Sequence, residues 1–187
     1  YSDSQSITVT VNAVNDAPVA NAASGTTAED QSVVISLSGS DIDGDNLSFS
    51  LDVDAANGGV TLDGSLATYT PDANYNGDDS FTFSVSDGEY SSSADVSVSV
   101  SAVNDAPILS TVSDVSFDED GSGSTSLSAY DVDGDDLITF SITGGNDITA
   151  TLDSYFEGSD VNFSAPANYN GSETFTVTVT DGELSDS

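Results

Sequence analysis

The 187-residue sequence contains no lysine, arginine or histidine, while its 27 aspartates and 6 glutamates give a formal net charge of −33. No carboxylate can therefore form an ion pair with a side chain of the same chain. Carboxylates that folding draws together must be satisfied by backbone N–H groups, hydroxyls, amides, water or a bound metal ion. The same lack excludes nucleic acid as a partner, because phosphate binding requires Lys and Arg.

Cysteine and methionine are also absent, which excludes disulfide bonds and thiolate-bound metals. No apolar run approaches the roughly 18 residues that a membrane-spanning helix needs, so no membrane insertion is expected. Together with the acidity, these absences favour an extracellular location on a bacterial cell surface. We expect the chain to be a segment of a longer protein.

Short hydrophobic segments alternate with Ser and Thr, for example at Phe81, Phe83 and Val85. This period of two is typical of antiparallel strands with one buried face. Gly, Asn and Asp cluster between the segments, and no stretch has a helical period. The pattern predicts an all-β fold of tandem immunoglobulin-like Greek-key sandwiches with about seven strands each. Tyr75 and Tyr169 precede the most apolar strand, where a tyrosine corner is expected.

One sequence pattern occurs twice. The linker Asn15-Asp16-Ala17-Pro18 recurs as Asn104-Asp105-Ala106-Pro107. A spacing near 90 residues fits a small sandwich domain. We predict that residues 1–16 are the last strand and linker of a preceding repeat, that residues 17–105 are the first repeat, and that residues 106–187 are a second repeat without its last strand.

The two ends of the chain are related. Tyr1 to Pro18 aligns with Tyr90 to Pro107, so we expect the chain to open with the last strand of a preceding repeat. The second repeat, in contrast, has no last strand to pair with its strand around Val177. An unpaired apolar edge is a template for another strand. We hypothesise that residues 1–14 complete the second repeat of a neighbouring copy. The neighbour is either a subunit of a filament joined by strand donation or an adjacent repeat of one continuous chain.

An Asp-x-Asp-Gly-Asp motif stands at Asp41–Asp45 and again at Asp131–Asp135. Aspartates at alternate positions, with Gly between them, let three carboxylates converge in a tight loop. Calcium takes six to eight oxygen ligands, whereas magnesium demands octahedral geometry and softer metals lack ligands here. Calcium is therefore the predicted cofactor. Asp87-Gly88-Glu89 is equally well explained as a hairpin turn, and the Asn-Asp-Ala-Pro linker has the alternative of a stiff extended connector.

The stretch from Val85 through Asp87-Gly88-Glu89 to Asn104-Asp105-Ala106-Pro107 resembles the bacterial cadherin-like repeats of large surface proteins and RTX-type adhesins. In that family an Asp-x-Gly loop precedes the last strand, and an Asn-Asp linker leads into the next domain. Calcium binds at the junction with ligands from both neighbours. Cadherins carry an acidic triplet where this sequence has Asn-Tyr-Asn-Gly, so we expect fewer calcium ions to bind, or the ions to bind more weakly.

The resemblance implies which residues hold calcium. The junction between the repeats would use Glu29 from the first repeat together with Asn104, Asp105, Asp131, Asp133 and Asp181. The N-terminal junction would use Asn15, Asp16, Asp41, Asp43 and Asp87. Glu119 would serve the junction after the second repeat.

These features predict a calcium-stiffened structural or adhesive repeat whose partners are copies of itself or adjacent repeats. The alternative is a calcium-dependent adhesin domain that binds a surface glycan or a protein. Tyr90, Tyr130, Tyr155 and Phe156 are the candidate sugar-contacting residues. No carboxylate pair stands out from the others, and no His, Cys or Lys is present as base or nucleophile, so we do not expect an enzyme.

Overall fold

A computed structural model describes residues 1–134, 138–155 and 158–187, with the backbone alone at residue 155. The chain divides into two compact units, Tyr1–Val103 and Asn104–Ser187, which hold the first and second repeats. All regular secondary structure in the described residues is β-strand. Within that part of the chain, no helix is long and apolar enough to cross a membrane.

The first unit begins with residues 1–18, which form no strand. Its strands are β1 (Val19–Asn21), β2 (Ala23–Ala28), β3 (Val33–Ser36), β4 (Ser38–Ser40), β5 (Ser48–Val53), β6 (Gly58–Asp63), β7 (Leu66–Pro71), β8 (Gly77–Ser86) and β9 (Ser91–Ser101). They make two layers. One layer is the sheet β3-β7-β6 and the other has the order β2-β9-β8-β5, while β1 and β4 form a separate short pair. The pair β2–β9 is parallel and the others are antiparallel.

The core of the first unit lies between these layers, because each strand turns its apolar residues inward at a period of two. Along β9, Val96, Val98 and Val100 are buried while the serines between them are exposed. Phe83 of β8 is fully buried and stacks against Phe49 with ring centroids 6.3 Å apart. The prediction of immunoglobulin-like sandwiches is confirmed.

The second unit has a similar arrangement in its described residues. Its strands are β10 (Ile108–Leu109), β11 (Ser122–Tyr130), β12 (Thr139–Gly144), β13 (Thr149–Tyr155), β14 (Gly158–Ser164), β15 (Phe175–Thr180) and β16 (Ser185–Asp186). One sheet has the order β10-β11-β14-β13 and the other β12-β15-β16. The strand β16 pairs only with Val179 and Thr180, so the rest of β15 has one strand neighbour among the described residues.

The predicted tyrosine corner does not form in the expected way. A tyrosine corner hydroxyl bonds to backbone upstream of the tyrosine, whereas Tyr75 donates to the carbonyl oxygen of Asp78, 2.7 Å away and downstream. Tyr169 instead donates to the carboxylate of Glu173. In both repeats the tyrosine therefore closes the turn that leads into the following segment.

A buried carboxylate that the sequence analysis did not single out lies in the first core. Asp79 accepts hydrogen bonds from the N–H groups of Ala56 and Asn57 at 3.2 and 2.9 Å and from the hydroxyl of Tyr69 at 3.0 Å. Burial raises its pKa, but the hydrogen bonds from backbone N–H groups outweigh burial and leave the pKa below its ordinary value. Asp79 therefore joins β8 to the loop before β6 without any basic side chain.

The second unit repeats this clamp with different residues. Glu173, at the position of Asp79, accepts from the backbone N–H groups of Asn146, Asp147 and Ile148 at 2.7, 3.0 and 3.1 Å. Phe163 stands where the first repeat has Tyr69, and the hydroxyl comes from Tyr169 instead. The hydrogen bond from Asp147 N–H, then that from Asn146, lowers the pKa of Glu173.

We predict that Asp79→Asn destabilises the first repeat by about 1–3 kcal/mol, because the new NH₂ group faces buried donors. Asp78→Asn is the matched control, since it removes the same charge at an exposed neighbour. Urea unfolding at pH 7 measures the free energy of unfolding of both variants, and equal stability of the two would contradict the clamp.

The depressed pKa of Asp79 also predicts how stability depends on pH. Asp79 stabilises the fold above its unfolded pKa near 3.9, and this stabilisation is lost as the pH falls through the folded pKa.

Candidate calcium sites

The first Asp-x-Asp-Gly-Asp motif forms a loop closed by its own first carboxylate. Asp41 Oδ1 accepts from the N–H groups of Asp43, Gly44 and Asp45 at 2.8, 3.1 and 3.4 Å. Gly44 has a φ of 81°, a conformation that favours glycine and lets the loop turn tightly. The carboxylates of Asp41, Asp43 and Asp45 consequently converge, with one oxygen from each lying within 4.8 Å of the others.

The linker that precedes the first repeat is attached to this loop and to the Asp-Gly turn. The N–H of Asp16 donates to Asp43 Oδ2 at 2.8 Å. The amide Nδ2 of Asn15 donates to Asp87 Oδ2 at 3.1 Å. The structure therefore places the predicted residues Asn15, Asp16, Asp41, Asp43 and Asp87 in one region, which we call the first acidic cluster.

A second acidic cluster has the same design in the second unit and consists of Asn104, Asp105, Asp131, Asp133 and Asp181. The N–H of Asp105 donates to Asp133 Oδ2 at 2.8 Å, and Asn104 Nδ2 donates to Asp181 Oδ2 at 2.8 Å. Asp133 N–H donates to Asp131 Oδ1 at 3.1 Å. Two sequence-distant motifs thus meet at the linker in both units.

Each cluster holds a carboxylate oxygen that lacks a hydrogen-bond partner. Asp131 is only 7% exposed, and its Oδ2 is buried without a partner. Asp41 Oδ2 is buried in the same way. A buried carboxylate oxygen without a donor is costly unless a cation approaches it. These two oxygens are the structural observation that fits a bound metal ion.

The donor chemistry fits calcium better than other metals. Both clusters offer carboxylate oxygens and the side-chain amide of an asparagine, and oxygen ligands of this kind suit a hard cation of variable coordination. The described residues present no thiolate or imidazole, because the sequence has no Cys or His. Asp45 was not among the predicted ligands, although its place as the third Asp of the Asp-x-Asp-Gly-Asp motif could have identified it. Its counterpart Asp135 lies outside the described residues.

The two glutamates occupy different environments. Glu29 is 3% exposed, and its Oε1 accepts from the backbone N–H of Val103. Glu29 N–H also donates to the carbonyl of Ser101 at 2.9 Å. The structure therefore shows that Glu29 holds the end of the first repeat. Glu119 is exposed, and its role as a ligand stays a prediction.

The Asp-Gly turns carry ionised aspartates held by backbone N–H groups. Asp87 Oδ1 accepts from Glu89 and Tyr90 at 2.7 Å each. Asp181 Oδ1 accepts from Glu183 and Leu184 at 2.6 and 2.7 Å. The hydrogen bond from the Leu184 N–H, followed by that from Asn104, lowers the pKa of Asp181. These contacts confirm the hairpin-turn geometry, and the same carboxylates remain beside the linkers.

Two of the four predicted sugar-contacting residues have described side chains, and both side chains are exposed. Tyr90 is 46% exposed in the first unit and Tyr130 is 64% exposed in the second. Phe156 and the side chain of Tyr155 lie outside the described residues. The comparisons below give the glycan alternative no support.

The model of the bacterial Ig domain family matches residues 15–99 and again residues 104–187. A search of curated proteins found no match. Among solved structures, an endo-fucoidan hydrolase of glycoside hydrolase family 107 is 24% identical over 91% of this chain, with a TM-score of 0.41. The chain spans 27% of the length of that hydrolase.

Two cadherin fragments are also similar in structure. Drosophila N-cadherin EC1-4 is 14% identical over 92% of this chain and 48% of its own, with a TM-score of 0.56. PcdhgB3 EC1-4 is 15% identical over 90% of this chain and 47% of its own, with a TM-score of 0.58. These likenesses confirm the cadherin-like fold.

We predict that Asn104→Ala raises the pKa of Asp181 toward its ordinary value, because the lost hydrogen bond favours the ionised carboxylate. Asp87 is the internal control, since its partner Asn15 is unchanged in this variant. A carboxylate titration by NMR follows both residues in one sample. An unmoved Asp181, or an equal shift of Asp87, would show that Asn104 does not hold the second turn.

Proposed function

The chain belongs to the bacterial Ig domain family as two tandem copies, and from this premise we propose that it is a calcium-binding structural or adhesive module. It acts in an extracellular surface protein or filament of a bacterium, where calcium stiffens the linkers between repeats. The module has no catalytic role. Its partners are adjacent repeats or copies of itself.

The observation that carries this proposal is the buried, unpartnered Oδ2 of Asp131. In a chain with basic side chains, such an oxygen would attract Lys or Arg. Here the available counter-charges are external cations, since Lys, Arg and His are absent. A divalent ion at Asp131, with Asp133 beside it, removes the cost of an unpaired buried charge and the repulsion between neighbouring carboxylates. Asp41 and Asp43 offer the same chemistry in the first cluster.

The linker contacts support a stiffening role. Val103 is held by Glu29 in the first unit, while the next residues, Asn104 and Asp105, are held by Asp181 and Asp133 in the second. Each end of the linker is therefore attached to its own repeat within a span of three residues. Calcium at the second cluster would add metal ligation to two single hydrogen bonds and restrict the linker further.

A non-catalytic role agrees with the family and with the side-chain inventory. The carboxylates with the clearest environments, Asp79 and Glu173, are used to hold loops. Their hydrogen bonds come from backbone N–H groups and tyrosine hydroxyls, which leaves no substrate-facing acid or base pair in those clamps. The glycoside hydrolase among the similar structures has a TM-score below 0.5 and carries no argument for activity.

We predict that 10 mM calcium raises the melting temperature of the chain. For a dissociation constant of about 10⁻⁴ to 10⁻³ M, each site gains roughly 1.4–2.7 kcal/mol. That corresponds to about 6–20 °C for a repeat of this size. Scanning calorimetry in calcium and in chelator measures the change, with magnesium at equal ionic strength as the control. Coincident melts in all three conditions would overturn the proposal.

We predict opposite effects of Asp131→Asn with and without calcium. In chelator the variant is at least as stable as the parent, because an unpaired buried charge is removed. In calcium it loses most of the stabilisation of the second repeat, because a ligand is weakened. Asp147→Asn, at an exposed position of the same unit, is the matched control and keeps the full calcium response. An unchanged calcium response of Asp131→Asn would exclude this residue as a ligand.

A further inference from the structure

Four residues other than glycine have a left-handed backbone conformation in the described part of the chain, and they form two similar pairs. Asp30 and Asn74 have φ values of 58° and 56°, and Asp120 and Asn168 have φ values of 65° and 58°. This conformation costs a residue with a side chain more than it costs glycine. Its occurrence at the same places in both repeats indicates that each pair needs something that glycine lacks.

The members of each pair are joined by a hydrogen bond across a long stretch of sequence. Asp30 Oδ1 accepts from the backbone N–H of Asn74 at 3.1 Å. Asp120 Oδ1 accepts from the backbone N–H of Asn168 at 3.0 Å. The aspartate therefore contributes a carboxylate, which glycine does not have, and the asparagine contributes its backbone N–H. We call this contact the turn link.

The turn link connects two tight turns of the first repeat. Residues 28–31 form the turn between β2 and β3, which is closed by a backbone hydrogen bond of 3.3 Å. Residues 72–75 form the turn between β7 and β8, which is closed by one of 3.1 Å. Asn74 is the third residue of its turn, and the N–H at that place has no partner within a turn of this kind. The Asp30 carboxylate supplies that partner.

The second repeat builds the turn link in the same way. Residues 118–121 and 166–169 form the corresponding turns, closed by backbone hydrogen bonds of 3.0 and 3.1 Å. Asp120 and Asn168 are the third residues of these turns, as Asp30 and Asn74 are of theirs. The link therefore belongs to the design of the repeat.

The residue before Asp30 is the glutamate that holds the end of the first repeat. The N–H of Glu29 donates to the carbonyl of Ser101 at 2.9 Å, and the Glu29 carboxylate accepts from the N–H of Val103. Glu29 lies in the same turn as Asp30, so β9 holds its backbone on one side and the turn link holds it on the other. A side chain on a backbone held in this way keeps its position.

We propose that Asp30 is a positioning residue, which fixes Glu29 through the turn link so that the glutamate can anchor Val103 at the start of the linker. Asp120 holds the turn that carries Glu119 in the same way. This inference deepens the proposed function, and it rests on that function only for the consequence that a fixed linker end makes the linker stiffer. The turn link itself consists of protein atoms alone and requires no metal.

The first experiment measures hydrogen exchange of backbone amides by NMR in the full 187-residue chain, in chelator. Asp30→Gly removes the carboxylate and relieves the left-handed conformation, so the variant keeps its fold. Exchange of the Val103 N–H is expected to accelerate about fivefold or more, as for the loss of one hydrogen bond. The amide of Val98, in the buried part of β9, is expected to be unchanged. Unchanged exchange at Val103, or equal acceleration at Val98, would overturn the positioning role.

Two further variants separate the turn link from a general effect of glycine. Asn74→Gly puts glycine at the partner position but keeps the backbone N–H that Asp30 binds, so Val103 is expected to exchange as in the parent chain. Asp30→Asn keeps a side-chain oxygen as acceptor and is expected to restore most of the protection that Asp30→Gly loses. Equal acceleration in the two glycine variants, or no restoration by Asp30→Asn, would contradict the turn link.

The second repeat provides an independent comparison in the same chain. Asp120→Gly is expected to accelerate exchange of the Asn168 N–H and to leave Val103 unchanged, because both members of this link lie in the second unit. A response of Val103 to Asp120→Gly would show that the effect is not local and would overturn the inference. All exchange is measured in chelator, so the outcome does not depend on the calcium melts, and the two proposals fail separately.

Discussion

Every carboxylate that this fold buries or partly buries must be satisfied without a basic side chain, and the two repeats meet this constraint in two ways. At Asp79 and Glu173 the partners are backbone N–H groups and tyrosine hydroxyls, so the carboxylates act as staples between a strand and a loop. At Asp41 and Asp131 one oxygen is bonded by the loop and the other has no partner. The first arrangement is complete within the chain, whereas the second leaves an oxygen to which the proposed calcium ion would bind.

The two acidic clusters lie at the linkers that precede the repeats. Asn15 and Asp16 bond to Asp87 and Asp43 in the first unit, and Asn104 and Asp105 bond to Asp181 and Asp133 in the second. A linker of few residues is thereby attached to two separate turns of the repeat that follows it. In a chain of net charge −33, self-repulsion favours separation of such turns. Calcium binding at the same place, as proposed, would oppose that separation and make the stiffness of the linkers depend on the calcium concentration.

Within the described residues, β8 and β15 are paired over different lengths. The first repeat closes its core with β9, and its Phe83 is fully buried. The second presents the same kind of surface to a groove, and Phe163 and Phe175 meet there edge to face at 5.2 Å.

Several features of this protein follow from the sequence alone. Alternation such as Phe81, Phe83, Val85 lets a strand bury only one of its faces, so a two-layer sandwich was predictable. Its tandem repetition was predictable from the linker sequence that occurs twice. The Asp-x-Asp-Gly-Asp motifs predicted loops with convergent carboxylates, and the resemblance to cadherin-like repeats implied that the linker asparagines and aspartates lie beside them. Tertiary structure decided which oxygens are left without donors, as at Asp131 Oδ2, and which are stapled, as at Asp79. That distinction depends on N–H groups from distant loops such as Ala56–Asn57, whose approach no local pattern encodes.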